Sequence, residues 1–214
     1  QFFQIGIPIA FQDGLIQIAF IIITIIANRR GLNDAAAVGI VEKVISFLFL
    51  VPSSMLSSVS ALGAQNFGAG KPERAVETLK YAIMIAVGFG LTVAVVIQFA
   101  ADPVVSLFTD NGTVIHSGGQ YLRGYIWDCV FAGIHFSFSG YFCACQKSGL
   151  SFLHNITAIV LVRVPGVYLM SKLFSDTLYF MGLATAAGSL LSVIICVIAF
   201  TILLKKEREN KAFR

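Results

Sequence analysis

Six stretches of this chain are apolar over about the length a helix needs to cross a bilayer, and nothing else in the sequence narrows the possible folds as far. Crossing the hydrocarbon core takes about 20 mostly apolar residues in a helix. The stretches cover residues 5–27, 37–64, 81–101, 122–146, 152–171 and 178–204, the last inside a run without charge from Thr177. They are too long and too uniform for the short alternating strands of a membrane barrel. The expected fold is therefore all-α, an integral membrane bundle of six transmembrane helices with a polar tail at 205–214. Charged residues make up only 12% of the 214, against about 25% in soluble domains, and mean hydropathy is +0.84. A surface so poor in charge excludes a disordered chain, a coiled coil and an ordinary cytosolic enzyme.

The net charge of +4 does not point to nucleic acid, because the basic residues gather in the loops beside the spans. One side collects Lys71, Arg74, Lys80, Lys147, Lys205, Lys206, Arg208, Lys211 and Arg214; the other has Arg29, Arg30, Arg123 and Lys172. Basic loops mark the cytoplasmic side, so both termini of the chain are expected there, in a plasma (inner) membrane, with the lipid bilayer as surroundings. The chain opens on Gln1 and runs straight into an apolar helix without a signal-peptide pattern. It reads as a piece of a longer polypeptide.

Charge inside the membrane costs about 2.5–3.5 kcal/mol at mid-helix on insertion scales, so the intramembrane ionisable residues are candidates for function. Asp13 lies about 12 Å into the first span at 1.5 Å per residue. Gly6, Asp13, Gln17 and Thr24 fall within about 40° of one line along that helix. Gln17, one turn on, can hydrogen-bond the Asp13 carboxyl, which either exchanges a proton near neutral pH or stays protonated and joins two helices. Asp128, His135 and Ser139 share a face of the fourth span, with Ala132 leaving room between them: either a wetted cavity wall or proton relay, or an interfacial aspartate among the belt aromatics Tyr125 and Trp127. Glu42 and Lys43 read as a solvated pair at the outer end of the second span. Behind them Pro52 predicts a bend, and Ser53, Ser54, Ser57 and Ser58 make spacings suited to close helix packing. Arg163, two residues before Pro165, reads as a structural ion pair or as a clamp on carbonyls freed by the proline.

Other patterns lead away from chemistry. The turn Gln65-Asn66-Phe67-Gly68-Ala69-Gly70-Lys71-Pro72 lacks the first glycine and the final Ser or Thr of a phosphate loop, and is expected to lead into an interfacial helix. Asp102-Pro103 is expected to end the third helix at the outer interface. Cys129, Cys143, Cys145 and Cys196 sit in apolar stretches without a CxxC spacing and read as packing residues. There is no metal motif, no nucleophile–base spacing and no glycine fingerprint in a soluble context, so neither an enzyme nor a cofactor is expected.

Gly6-Ile7-Pro8 opening the first span, Ala64-Gln65-Asn66-Phe67-Gly68-Ala69-Gly70-Lys71-Pro72-Glu73-Arg74-Ala75 after the second, Leu107-Phe108-Thr109-Asp110 after the third and Arg163-Val164-Pro165 in the fifth occur in an order and spacing covering nearly the whole chain. In these the chain resembles the C-terminal half of a multidrug and toxic compound extrusion (MATE) transporter, nearest to the DinF-like bacterial members. The resemblance implies twelve helices in two six-helix lobes, residues 1–214 forming the C-terminal lobe, and an antiporter that expels lipophilic organic cations in exchange for H⁺ or Na⁺ by alternating access. It implies a missing N-terminal lobe, or a second copy of this chain, as partner. Some members carry a glutamate deep in helix seven and a Tyr/Asp pair in helix ten; here the corresponding acids are Asp13 and Asp128. Ion or proton coupling is accordingly expected at Asp13, Gln17, Asp128 and His135, with Thr24, Tyr125 and Ser139 lining the substrate cavity and Pro8, Pro52, Arg163 and Pro165 in structural roles. The alternatives are a lipid or polysaccharide flippase of the same superfamily, and a lobe inactive without its other half.

Overall fold

The computed structural model describes the backbone of residues 2–212 and the side chains of residues 14–206. Regular structure there is helical: α1 (Phe2–Asn28), α2 (Leu32–Leu48), α3 (Leu50–Gly68), α4 (Pro72–Ser106), α5 (Gly112–Tyr125), α6 (Trp127–Ala144), α7 (Ser148–Ala158), a π-helical turn at Ile159–Arg163, α8 (Val164–Leu173) and α9 (Tyr179–Ala212). α2 with α3, α5 with α6, and α7 with α8 continue one another, which leaves six antiparallel rods among the described residues. Four of them, Leu32–Gly68, Pro72–Ser106, Ser148–Leu173 and Tyr179–Lys206, are long and apolar enough to cross a membrane; the described apolar part of the first, Gly14–Asn28, is shorter. The turns at 68–71 and 145–147 lie at one end of the bundle, the lower, and the turns at 29–31, 107–111 and 174–178 at the other, the upper.

The rod formed by α5 and α6 is the core of the bundle. It packs on the second, third and sixth rods, and α6 also touches α7. Almost every residue of α6 is buried, although Asp128, His135, Ser137 and Ser139 are among them. Small residues make this enclosure possible. A Cβ on Gly90 of α4 would stand 2.9 Å from the Val130 backbone, and one on Gly133 would stand 2.7 Å from the Cβ of Ala86. Gly124 and Gly182 similarly bring α5 and α9 into backbone contact, the approach that van der Waals packing between membrane helices rewards.

Several helix ends differ from the sequence expectation. The break in the second rod falls at Phe49, three residues before Pro52, which has no N–H to return to the Leu48 carbonyl. Pro103 does not end α4, which runs on to Ser106; Asp102 beside it is held by Arg123 Nη2 at 2.9 Å. No separate interfacial helix follows the glycine-rich turn. Gly70 adopts the left-handed conformation at φ +70°, Lys71 N donates to Asn66 O at 2.9 Å, and Pro72 starts α4 directly, where its missing N–H costs nothing. The serines after Pro52 do not pack inside the bundle. Ser53, Ser54, Ser57 and Ser58 are exposed, and Ser54 Oγ donates to the Leu50 carbonyl at 2.6 Å.

Candidate functional site

The fifth rod changes its winding at one place only among the described residues, and that place aims Arg163 inward. Pro165 sits at the second position of α8 and cannot donate to the preceding turn, and the wider π turn at Ile159–Arg163 takes up the mismatch. Such single turns occur often at functional sites. Opposite, Gly188 of α9 leaves its backbone against Arg163, where an added Cβ would stand 2.9 Å from the Arg163 Cβ. The guanidinium Nη2 donates to Asp128 Oδ2 and to Ser189 Oγ at 3.2 Å. Asp128 is 0% exposed and Arg163 7%. The pair therefore joins the fourth, fifth and sixth rods inside the bundle. The second carboxylate oxygen, Oδ1, is enclosed and has no protein partner among the described residues.

Toward the upper end the polar groups continue. Tyr121 and Tyr125 are fully buried, with ring centroids 5.5 Å apart. Their enclosed hydroxyls have no protein partner among the described residues, and both rings lie within electrostatic reach of Glu42, Asp128 and Arg163. Glu42, on α2, is half-buried; its Oε2 lies 3.2 Å from Thr24 Oγ1 of α1, and its Oε1 is enclosed without a partner among the described residues.

Toward the lower end lies a second group. His154 is buried on α7 between two hydroxyls, Nε2 2.8 Å from Ser139 Oγ and Nδ1 3.2 Å from Ser192 Oγ. Ser192 Oγ is also 3.3 Å from the His154 carbonyl, to which it donates. That leaves Ser192 to accept from Nδ1–H, and Nε2 to accept from Ser139. The His135 ring stands edge-on to His154 at 5.5 Å. Between this group and the ion pair is a cavity of about 30 Å³, lined by His135, Asn155, Arg163, Ser189 and Ser192 together with Ile16 and Phe49. His135 Nδ1 and Asn155 Nδ2 are buried without a protein partner among the described residues.

The residues singled out in the sequence are distributed as follows. Asp13 and Pro8 lie outside the described side chains. Gln17 is exposed on the bundle surface and Thr24 is half-buried. Asp128 and His135 are neither interfacial nor on an open cleft wall in this bundle, because the fourth rod is covered on all sides by its neighbours. Tyr125 is likewise a core residue and not a belt aromatic or an open cavity wall, and Ser139 is engaged with His154. Glu42 and Lys43 do not form a solvated pair: Lys43 is exposed, while Glu42 turns inward to Thr24. Arg163 is in the ion pair expected of it. His154, Asn155, Ser189 and Ser192 were not foreseen; polar residues on α7 and α9 could have been matched to α6 only once the helices were seen side by side. Among the described residues no group of three or more His, Cys, Asp or Glu side chains is placed to hold a metal.

Comparison with known proteins adds four findings. The MatE family model matches residues 8–169. The chain is 26% identical over 164 residues to the FAD transporter of Shewanella oneidensis, a match covering 76% of this chain and 36% of that protein. It is 23% identical over 204 residues to the probable multidrug resistance protein NorM of Halalkalibacterium halodurans, covering 94% of this chain and 43% of the relative. The fold superimposes on a crystal structure of MATE in complex with MaL6 with a TM-score of 0.89 at 17% identity, over 97% of this chain and 47% of that one. The chain thus spans less than half the length of the relatives it matches.

Proposed function

The chain belongs to the MatE family of membrane transporters, and on that premise we propose that it is one six-span lobe of a cation-coupled exporter of lipophilic organic cations. In this reading residues 1–214 are the C-terminal lobe of a plasma-membrane transporter, with the lower end and both termini in the cytoplasm. The other half of the transporter supplies the facing wall. Support for a facing wall comes from α2 and α3, where Ser46, Ser53, Ser54, Ser57, Ser58 and Gln65 are exposed among otherwise apolar spans. Hydroxyls on a surface that met only lipid would be unusual; on the wall of a cleft between two lobes they are wetted.

The observation that carries the coupling is the enclosed carboxylate of Asp128, charge-paired on one oxygen and unpartnered on the other. An intramembrane carboxylate in a transporter is the natural station for a coupling H⁺ or Na⁺. Asp13, four residues before the exposed Gln17, is the second station. Ion and drug each bind one arrangement of the two lobes more tightly than the other, and that difference is what converts an ion gradient into export. Thr24 couples the two, since it joins α1 to Glu42 of α2.

One relative is named an FAD transporter, and a flippase would also carry anions. An anionic cargo needs uncommitted cations, and Arg163, the cation deepest in the bundle, is bound to Asp128. That favours the organic cation. The test uses the intact transporter in proteoliposomes with an imposed pH or Na⁺ gradient. Asp128→Asn and Asp13→Asn are each expected to abolish gradient-driven efflux of a dye cation. Efflux that persists in both variants, or that is blocked by FAD more strongly than by organic cations, overturns the reading.

A further inference from the structure

The buried polar groups are not scattered; they line up. From the upper end downward they run Glu42 and the tyrosine pair, Asp128 with Arg163 and Ser189, the small cavity, then His135, His154 and Ser139. Along the fourth rod, Tyr121 to Ser139 is about 27 Å at 1.5 Å per residue, close to the roughly 30 Å thickness of the hydrocarbon core. Below the half-buried Glu42 of α2, the column lies among residues buried inside the bundle. Burying so many hydrogen-bonding groups is costly unless they are satisfied, yet Glu42 Oε1, both tyrosine hydroxyls, Asp128 Oδ1, His135 Nδ1 and Asn155 Nδ2 have no protein partner among the described residues. These atoms all belong to the column or to its cavity.

We infer that the column is a proton path through the interior of this lobe, with Asp128 Oδ1 as its binding station and one water in the cavity linking the Arg163–Asp128 pair to the two histidines. A cavity of about 30 Å³ with several polar partners is sufficient for one water. Only a proton suits such a path. A metal cation needs a shell of oxygens, and Arg163 already occupies one side of the carboxylate. At His154 the step balances without any other reactant: the Nε2–H tautomer takes a proton at Nδ1 from Ser192 as its Nε2–H passes to Ser139, one N–H bond forming as the other breaks, and the Nδ1–H tautomer described above is the product. Ser192 is replenished from the cavity water, and Ser139 hands on toward the lower end.

Among the described residues, the charged and titratable groups facing this path are Glu42 from the second rod, Tyr121, Tyr125, Asp128, Cys129 and His135 from the fourth, and His154 and Arg163 from the fifth. α9 contributes the hydroxyls of Ser189 and Ser192. The first rod adds Thr24, and the acid at the upper end of the third rod, Asp102, is held aside by Arg123. The inference deepens the exporter reading, on which the direction of proton movement rests, but proton passage can be measured without any cargo.

The experiment loads proteoliposomes of the intact transporter with pyranine and drives protons with a valinomycin–potassium potential, with and without a dye cation. Asn155→Leu fills the cavity and removes its amide donor; His154→Gln keeps the size of the ring but cannot exchange one N–H for another. Each is expected to lower proton flux at least tenfold while dye affinity stays within about twofold. Flux within twofold of wild type in both variants overturns the path, and if Asp128→Asn still abolishes it then the exporter reading survives alone. Wild-type proton flux that both variants lower, without dye export, supports the path and overturns the exporter reading. No proton flux in the wild type under either condition overturns the path.

Discussion

Replacing Arg163 by Met tests whether the ion pair inside the bundle holds the lobe together. Surface ion pairs are worth about 0–1 kcal/mol because water screens them and hydrates the partner that is left. Neither condition applies here, since Asp128 is 0% and Arg163 7% exposed. Arg163→Met leaves the Asp128 carboxylate enclosed by Ser189 and apolar neighbours, and removing one partner of a buried pair costs about 3–5 kcal/mol. Asp128→Leu strands the guanidinium at similar cost. The double variant Arg163→Met with Asp128→Leu strands nothing and exchanges the pair for packed apolar groups, a change that is often neutral. Unfolding of all four proteins by SDS titration in mixed micelles gives the cycle, with an expected coupling of at least about 2 kcal/mol. If Arg163→Met costs less than about 1 kcal/mol, or if the double variant loses the sum of the two single losses, the pair is not the buried, mutually dependent unit described above.

Gly182→Ala is expected to destabilise the lobe by about 1–3 kcal/mol through overpacking, because the new methyl would stand 2.7 Å from Tyr125 N across the α5–α9 contact; the same titration measures it, and an unchanged midpoint refutes the backbone approach. Arg30 holds the loop between α8 and α9, Nη1 donating to the carbonyls of Ser171 and Phe174 at 3.0 Å each. Arg30→Ala is accordingly expected to raise amide hydrogen exchange selectively over residues 171–179, and unchanged protection there counts against the clamp. Ser57→Cys and Ser58→Cys, introduced with Cys145→Ala in the intact transporter, are expected to react with a charged methanethiosulfonate reagent at least tenfold faster than Phe99→Cys on the exposed apolar face of α4. Equal rates mean that the serine face meets lipid and that the cleft lies elsewhere.

Much of the site was legible only in part. Asp128 and Arg163 each stand out in the sequence as charges where charge is expensive, but 35 residues separate them, and nothing in the spacing says that they meet. The π turn before Pro165 decides that meeting by rotating Arg163 toward α6. Glu42 looked like one member of a solvated pair because Lys43 follows it; in a helix, adjacent residues point about 100° apart, so Lys43 is exposed while Glu42 turns half-buried toward Thr24. His154, Asn155, Ser189 and Ser192 are ordinary polar residues in sequence. They acquire meaning from the neighbours they are given.

The length and apolarity of the runs determined from sequence that the chain is a bundle of membrane helices, since a bilayer leaves so few ways to satisfy a backbone. They also gave the approximate span positions, and the order of short motifs pointed to the family. Which rod becomes the core was a tertiary decision. The α5–α6 rod is absent from the four most apolar spans because its surroundings are other helices and not lipid: small residues on its neighbours let them close around it, and that enclosure is what collects the polar groups of five rods into a single buried column.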